Sequence, residues 1–124
     1  MENEVRDTAN IGLSEEMHMK LREMTDNEIF NDMKDGYRLA ASMAIRQGLL
    51  VNDRSLANRK NMYDVGGVDE DFIFRNSISI IYPDQLGKEY KYLEKLADAG
   101  MALLYERYDE DGNLDLETAL NHDP

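Results

Sequence analysis

The sequence predicts an all-α, single-domain protein: a compact bundle of about five helices with a long irregular connection near residues 49–68. Two observations favour this fold class. The chain has 124 residues, which suits one domain with one core, and its apolar residues recur at helical spacing in several separate blocks. Since 42% of the residues are hydrophobic, the composition is that of a folded chain and not of a disordered one.

The helical domain is expected to span residues 13–121. Residues 1–12 are polar and lack periodicity, so they are interpreted as a flexible N-terminal arm. Residues 122–124 are interpreted as a flexible tail.

A first helix is predicted at about residues 15–24, with Ser14 as its N-cap. Its apolar stripe consists of Met17, Leu21 and Met24. Thr25 and Glu28 have the spacing of a capping box, which predicts that a new helical turn begins there.

The central helix is predicted from Met33 to a stop at Gly48, where glycine favours the left-handed residue that ends a helix. Its polar residues form one narrow stripe that is expected to face solvent: Asp35, Arg38, Ser42 and Arg46. Small side chains on the rest of its surface would let another helix approach closely; they are Ala40, Ala41 and Ala44.

Residues 72–82 carry two competing signals. Their aromatic and β-branched content suits a strand, whereas an acidic run before them and the proline after them are typical of a helix. We predict a helix, because Phe74, Ile78 and Ile81 recur at helical spacing and Pro83 supplies a stop.

The last long helix is predicted at residues 88–108. Its apolar face consists of Leu93, Leu96, Ala97, Gly100, Leu103 and Leu104. The charged side chains between them are expected to face water; they are Lys91, Glu94, Lys95 and Asp98. Gly100 is expected to pack on the alanines of the central helix. A short terminal turn is predicted over residues 114–120.

No residue pattern predicts catalysis, a cofactor or a metal. The chain has no cysteine and two histidines, His18 and His122, and neither lies at a metal-ligand spacing. The acidic run from Asp109 does not form a calcium loop, because Leu114 and Leu120 stand where such a loop needs glycine and glutamate. Common nucleophile and phosphate-loop motifs are absent from the sequence. We therefore expect a protein that is not an enzyme.

The charge of the chain favours a basic protein partner. Twenty-six acidic and fourteen basic residues give a net charge of −12, which opposes binding to nucleic acid or to an anionic membrane. No run of about 20 apolar residues would span a bilayer, so no membrane contact and a cytoplasmic location are expected. Whether the chain forms a homo-oligomer is left open.

Candidate partner-binding residues come from two charged clusters in the middle of the chain. One is basic and consists of Arg46, Arg54, Arg59 and Lys60. The other is acidic, surrounds a glycine pair, and consists of Asp64, Asp69, Glu70 and Asp71.

Two helical motifs carry a resemblance to a known family. The run Met33-Lys34-Asp35-Gly36-Tyr37-Arg38-Leu39-Ala40-Ala41, together with Leu96-Ala97-Asp98-Ala99-Gly100, resembles helices of small proteins associated with bacterial DNA phosphorothioation (Dnd-type) defence systems. The resemblance implies an accessory subunit that acts beside larger DNA-handling enzymes in anti-phage defence. It implies no catalytic residue.

The leading hypothesis is therefore a non-enzymatic accessory or adaptor subunit that binds a larger protein. One alternative is an acidic DNA mimic that inhibits a nucleic-acid enzyme, and it requires several acids to share one surface: Asp26, Glu28, Asp32, Asp64, Asp69, Glu70 and Asp71. The other alternative is a small DNA-binding regulator that uses the basic cluster.

Overall fold

Five α-helices and one two-stranded sheet make up residues 7–111, the part of the chain that the computed structural model describes. The elements are β1 (Asn10–Leu13), α1 (Glu15–Asp26), α2 (Met33–Arg46), β2 (Lys60–Asp64), α3 (Val65–Val68), α4 (Ile73–Ile81) and α5 (Glu89–Asp111), with a short 3-10 helix at Pro83–Gln85. The predicted helical fold is confirmed, but the all-α assignment is overstated, because the chain also contains a two-stranded sheet.

The sheet corrects two predictions. β1 pairs antiparallel with β2, and Ile11 lies opposite Tyr63. Residues 10–12, predicted within the flexible arm, thus belong to a strand, and the side chain of Ile11 is fully buried. Part of the predicted irregular connection at 49–68 is likewise β2 and α3. Both errors have one cause, because pairing between segments about 50 residues apart leaves no local periodicity in the sequence.

Gly12 makes the sheet possible at its irregular step. The register shifts between Ile11 and Gly12, and a Cβ at Gly12 would stand 1.9 Å from the carbonyl oxygen of Lys60. Only a residue without a side chain fits against that backbone.

α1 begins as predicted and ends later than predicted. The Ser14 hydroxyl accepts a hydrogen bond from the Met17 amide at 3.3 Å, and the predicted apolar stripe is buried. The capping box is wrong: the Thr25 hydroxyl donates instead to the Leu21 carbonyl, within α1. The next helix is capped by Asp32, whose carboxylate accepts from the amide of Asp35.

α2 stops at the predicted glycine. Gly48 has a φ of 63°, its amide donates to the Ile45 carbonyl, and the Leu49 amide donates to the Ala44 carbonyl. This pair of bonds is the Schellman motif, in which the left-handed residue is nearly always glycine.

α2 and α5 cross at the predicted small residues. A Cβ at Gly100 would stand 2.0 Å from the Ala40 carbonyl oxygen, so the two helices touch through their backbones. The fully buried leucines of α5 surround this crossing and include Leu93, Leu96 and Leu104. The predicted terminal turn at 114–120 and the tail at 122–124 lie outside the described residues.

α4 confirms the prediction of a helix at 72–82, and it is attached to α5. The Ser79 hydroxyl donates to the Glu89 carboxylate at 2.6 Å, and the rings of Tyr82 and Tyr92 lie 4.7 Å apart. Burial alone would raise the pKa of Glu89, but the hydrogen bonds from Ser79 and from backbone amides lower it. Among the helices within residues 7–111, none is both long enough and apolar enough to cross a bilayer.

Candidate functional site

Two carboxylates of α5, predicted to face water, are buried. The Asp98 side chain is 2% exposed. Its Oδ1 accepts hydrogen bonds from the Ser14 amide at 2.8 Å and the Ser14 hydroxyl at 2.9 Å, and its Oδ2 accepts from Arg54 Nε at 2.9 Å. A guanidinium and two neutral donors thus replace the water that this charge loses on burial.

Glu94 has the same kind of environment one turn earlier. Its Oε1 accepts from the Gly12 amide at 2.9 Å and from Arg59 Nε at 2.6 Å. The buried Tyr37 hydroxyl donates to the Gly12 carbonyl, and burial holds the Tyr37 pKa well above its usual value. The outer edge of β1 is therefore paired with side chains and not with a third strand.

Two of the four predicted basic residues are committed to these internal contacts. Arg54 and Arg59 attach the connection between α2 and β2 to the side of α5. Lys60 lies 3.8 Å from Glu15 in an exposed pair, and Arg46 is exposed in the last turn of α2. Sequence reasoning missed Glu94 and Asp98, and the available signal was two carboxylates one turn apart among the apolar residues of α5.

The four predicted acidic residues divide in a similar way. Asp69 is buried, and its carboxylate accepts from the amides of Phe74 and Arg75 and from the Tyr90 hydroxyl. Burial is the largest cause that raises the Tyr90 pKa, and the hydrogen bond to Asp69 is the second. Asp69 therefore belongs to the start of α4 and cannot serve as an exposed phosphate mimic. Asp64, Glu70 and Asp71 are exposed.

A surface that the sequence analysis did not identify lies on α4 and the segments beside it. Five large apolar side chains, each between 47% and 78% exposed, form what we name the α4 apolar face: Phe72, Ile73, Ile80, Ile81 and Leu86. The fully buried residue of the helix is Ile78, which lies beside this face. The predicted stripe of Phe74, Ile78 and Ile81 thus holds for Ile78, while Ile81 is 47% exposed. The sequence signal for this face was that α4 has more apolar residues than the predicted stripe requires, since Ile73 and Ile80 lie beside that stripe.

A polar cleft of about 510 Å³ lies where β1, the connection and α5 meet. We name it the lysine cleft; its lining residues are Thr8, Asn10, Leu56, Arg59, Asn61, Lys91, Glu94 and Lys95. Lys95 Nζ donates to the Asn52 carbonyl oxygen at 2.9 Å.

Within residues 7–111 no three histidine, cysteine or acidic side chains are grouped closely enough to hold a metal ion. His18 is partly buried on α1, and burial together with Arg22 lowers its pKa. Comparison of the chain with protein-family models, curated proteins and solved structures finds no match.

Proposed function

We propose that this chain is a non-enzymatic accessory or adaptor subunit that binds a larger protein through the α4 apolar face. The observation that carries the proposal is the exposure of three isoleucines on one helix: Ile73, Ile80 and Ile81. Ile73 and Ile80 are seven residues apart and so lie on the same side of the helix. Exposed apolar side chains that share one side of a helix are typical of interaction sites.

The backbone at the start of α4 supports the same surface. Phe72 has a φ of 59°, in the left-handed region that a phenylalanine rarely adopts. Such a conformation costs on the order of 1–3 kcal/mol and is found where surrounding contacts enforce it, often at functional sites. The bonds from Asp69 to the first amides of α4 supply that enforcement, and the Phe72 ring stays half exposed.

The charge of the surroundings indicates the kind of partner. The exposed acids beside the face are Glu70, Asp71 and Asp84, and the nearby cations are Arg75 and Lys88. Arg75 lies over the Phe72 ring, 5.8 Å from its centroid. A second copy of the chain would bring another net charge of −12, so like charges oppose self-association. The fitting partner is a different protein that offers an apolar groove with basic surroundings.

The resemblance to proteins of phosphorothioation-type defence systems belongs to this proposal. It would make the partner one of the larger DNA-handling enzymes of such a system. The contacts of Arg54, Arg59 and Asp69 inside the molecule favour neither a DNA-binding regulator nor a DNA mimic.

The test is a comparison of three forms of the chain as baits in extracts of the native host. The double variant Ile73→Asp, Ile80→Asp places charges on the α4 apolar face, whereas Leu50→Asp alters a leucine outside that face that is 82% exposed. We expect one stoichiometric basic partner to bind the unmodified chain and Leu50→Asp at moderate salt. Titration calorimetry with that purified partner should show at least a hundredfold loss for the double variant.

Equal binding by the double variant and the unmodified chain would place the interface elsewhere. Recovery of no stoichiometric partner at low and moderate salt would overturn the proposed function itself. Circular dichroism checks that all three forms are equally folded, which is expected because each altered side chain is mainly exposed.

A further inference from the structure

The lysine cleft gathers positive charge in a strongly acidic protein. Three cations line it, Arg59, Lys91 and Lys95, against the single carboxylate of Glu94. The charge of Glu94 is already paired with Arg59, and its Oε1 accepts hydrogen bonds from Arg59 and from the Gly12 amide. Among the described residues, the two lysines are thus the charges of the cleft that no ion pair holds.

The placement of these lysines on α5 is unfavourable on its own. Lys91 and Lys95 are four residues apart and therefore neighbours on one side of the helix, where like charges repel. Lys95 Nζ meets only a neutral carbonyl oxygen, that of Asn52, among the described residues. Asp7 brings one negative charge nearby, and its two carboxylate oxygens accept from the backbone amides of Tyr90 and Lys91. An anion in the cleft would relieve the repulsion.

Neutral donors complete the surroundings of such an anion. Asn10 and Asn61 also line the cleft, and Leu56 adds an apolar residue. Two ammonium groups with no ion-pair partner among the described residues suit an anion such as a phosphate monoester, whose charge is about −1.5 to −2 at neutral pH, and Asp7 offsets part of their charge. The volume of about 510 Å³ exceeds that of one phosphate group and falls in the range of small-molecule sites.

We infer that the lysine cleft binds a phosphate group, either free or carried by a small phosphorylated metabolite. Lys91 and Lys95 supply the charge, Asn10 and Asn61 supply neutral hydrogen bonds, and Leu56 contacts the carbon skeleton of the ligand. Arg59 stays on Glu94 and keeps that carboxylate from repelling the ligand. This site is separate from the α4 apolar face.

The probes are inorganic phosphate and ribose 5-phosphate, with ribose as the neutral control, added to the isotope-labelled full chain at low ionic strength. We expect saturable changes in amide NMR signals confined to the lining residues of the cleft, and none with ribose. Tighter binding of ribose 5-phosphate than of phosphate identifies a phosphorylated metabolite as the ligand, and equal binding identifies free phosphate. Both outcomes support a phosphate site.

Variants separate a built site from general attraction to positive charge. Lys91→Gln should weaken binding about tenfold, the usual effect of losing one charged hydrogen bond. Lys20→Gln removes the same charge from α1, outside the cleft, and should leave the affinity unchanged. Equal losses in both variants, or changes spread over the whole surface, would overturn the inference, as would no signal change at about 10 mM ribose 5-phosphate, far above the usual range of metabolite affinities.

Discussion

Asp98 carries its charge in the interior because three donors surround it. Ser14 supplies two of them and Arg54 the third, so the carboxylate joins β1, α1 and the connection before β2 at one point. Removing it would leave the Arg54 guanidinium without its carboxylate and the Ser14 amide without an acceptor, both partly or fully buried.

We therefore predict that Asp98→Ala destabilises the chain by about 3–5 kcal/mol, the usual cost of breaking a buried ion pair from one side. Glu106→Ala, at an exposed position of the same helix, should change stability by less than about 0.5 kcal/mol. Urea denaturation measures both. A small loss for Asp98→Ala would mean that water replaces the carboxylate at little cost.

Glu94 and Asp98 also explain why the candidate site was not predicted. A charged residue between apolar positions of a helix faces water in most proteins. Donors from segments distant in the sequence reverse that expectation here, namely the two arginines of the connection together with Gly12 and Ser14. The α4 apolar face escaped prediction for the opposite reason. Helical spacing places Ile73 and Ile80 on one side, but it does not tell whether anything covers that side.

The crossing of α2 and α5 dominates the packing between elements. Gly100 contacts the Ala40 backbone with no side chain between them. The buried residues Ala41, Ala44 and Ala97 also have small side chains, which keeps the two helices close. Their small size was visible in the sequence, which is why this crossing could be predicted. The β1–β2 pairing could not, because strands of four and five residues carry too little alternation to be distinguished from loops.

Gly100→Ala should destabilise the chain by about 1–3 kcal/mol, because the added Cβ would press on backbone that cannot rotate away. Gly66→Ala is the matched control, since a Cβ at that position of α3 meets nothing within 4 Å, and it should be neutral or slightly stabilising. Thermal unfolding followed by circular dichroism compares the two. Equal melting temperatures would show that the helices can separate freely at this point.

Burial of tyrosines gives the molecule as a whole a defined response to alkali. Burial raises the pKa of Tyr63 and of Tyr82 to about 12, and it also raises that of Tyr37 well above its usual value. In the unfolded chain these phenols ionise near 10, so between pH 10 and 12 the unfolded state holds fewer protons than the folded state. Stability must then fall as the pH rises through this range.

We expect the urea midpoint to be constant up to about pH 9.5 and to drop steeply between pH 10 and 12, together with the appearance of tyrosinate absorbance. Tyr63→Phe removes one of the titrating groups and should make the decline shallower. A midpoint that stays level across this range, or the same slope in Tyr63→Phe, would contradict this account of the core.

The connection between α2 and β2 depends on α5 for its order. Four of its residues, Val51, Asn52, Arg54 and Arg59, are hydrogen-bonded to α5, and these bonds join residues 35 to 44 positions apart. Closing such long loops costs chain entropy before any contact repays it. Contacts with α5 must repay that cost, so the connection belongs with α5 to one cooperative unit although it has no regular structure of its own.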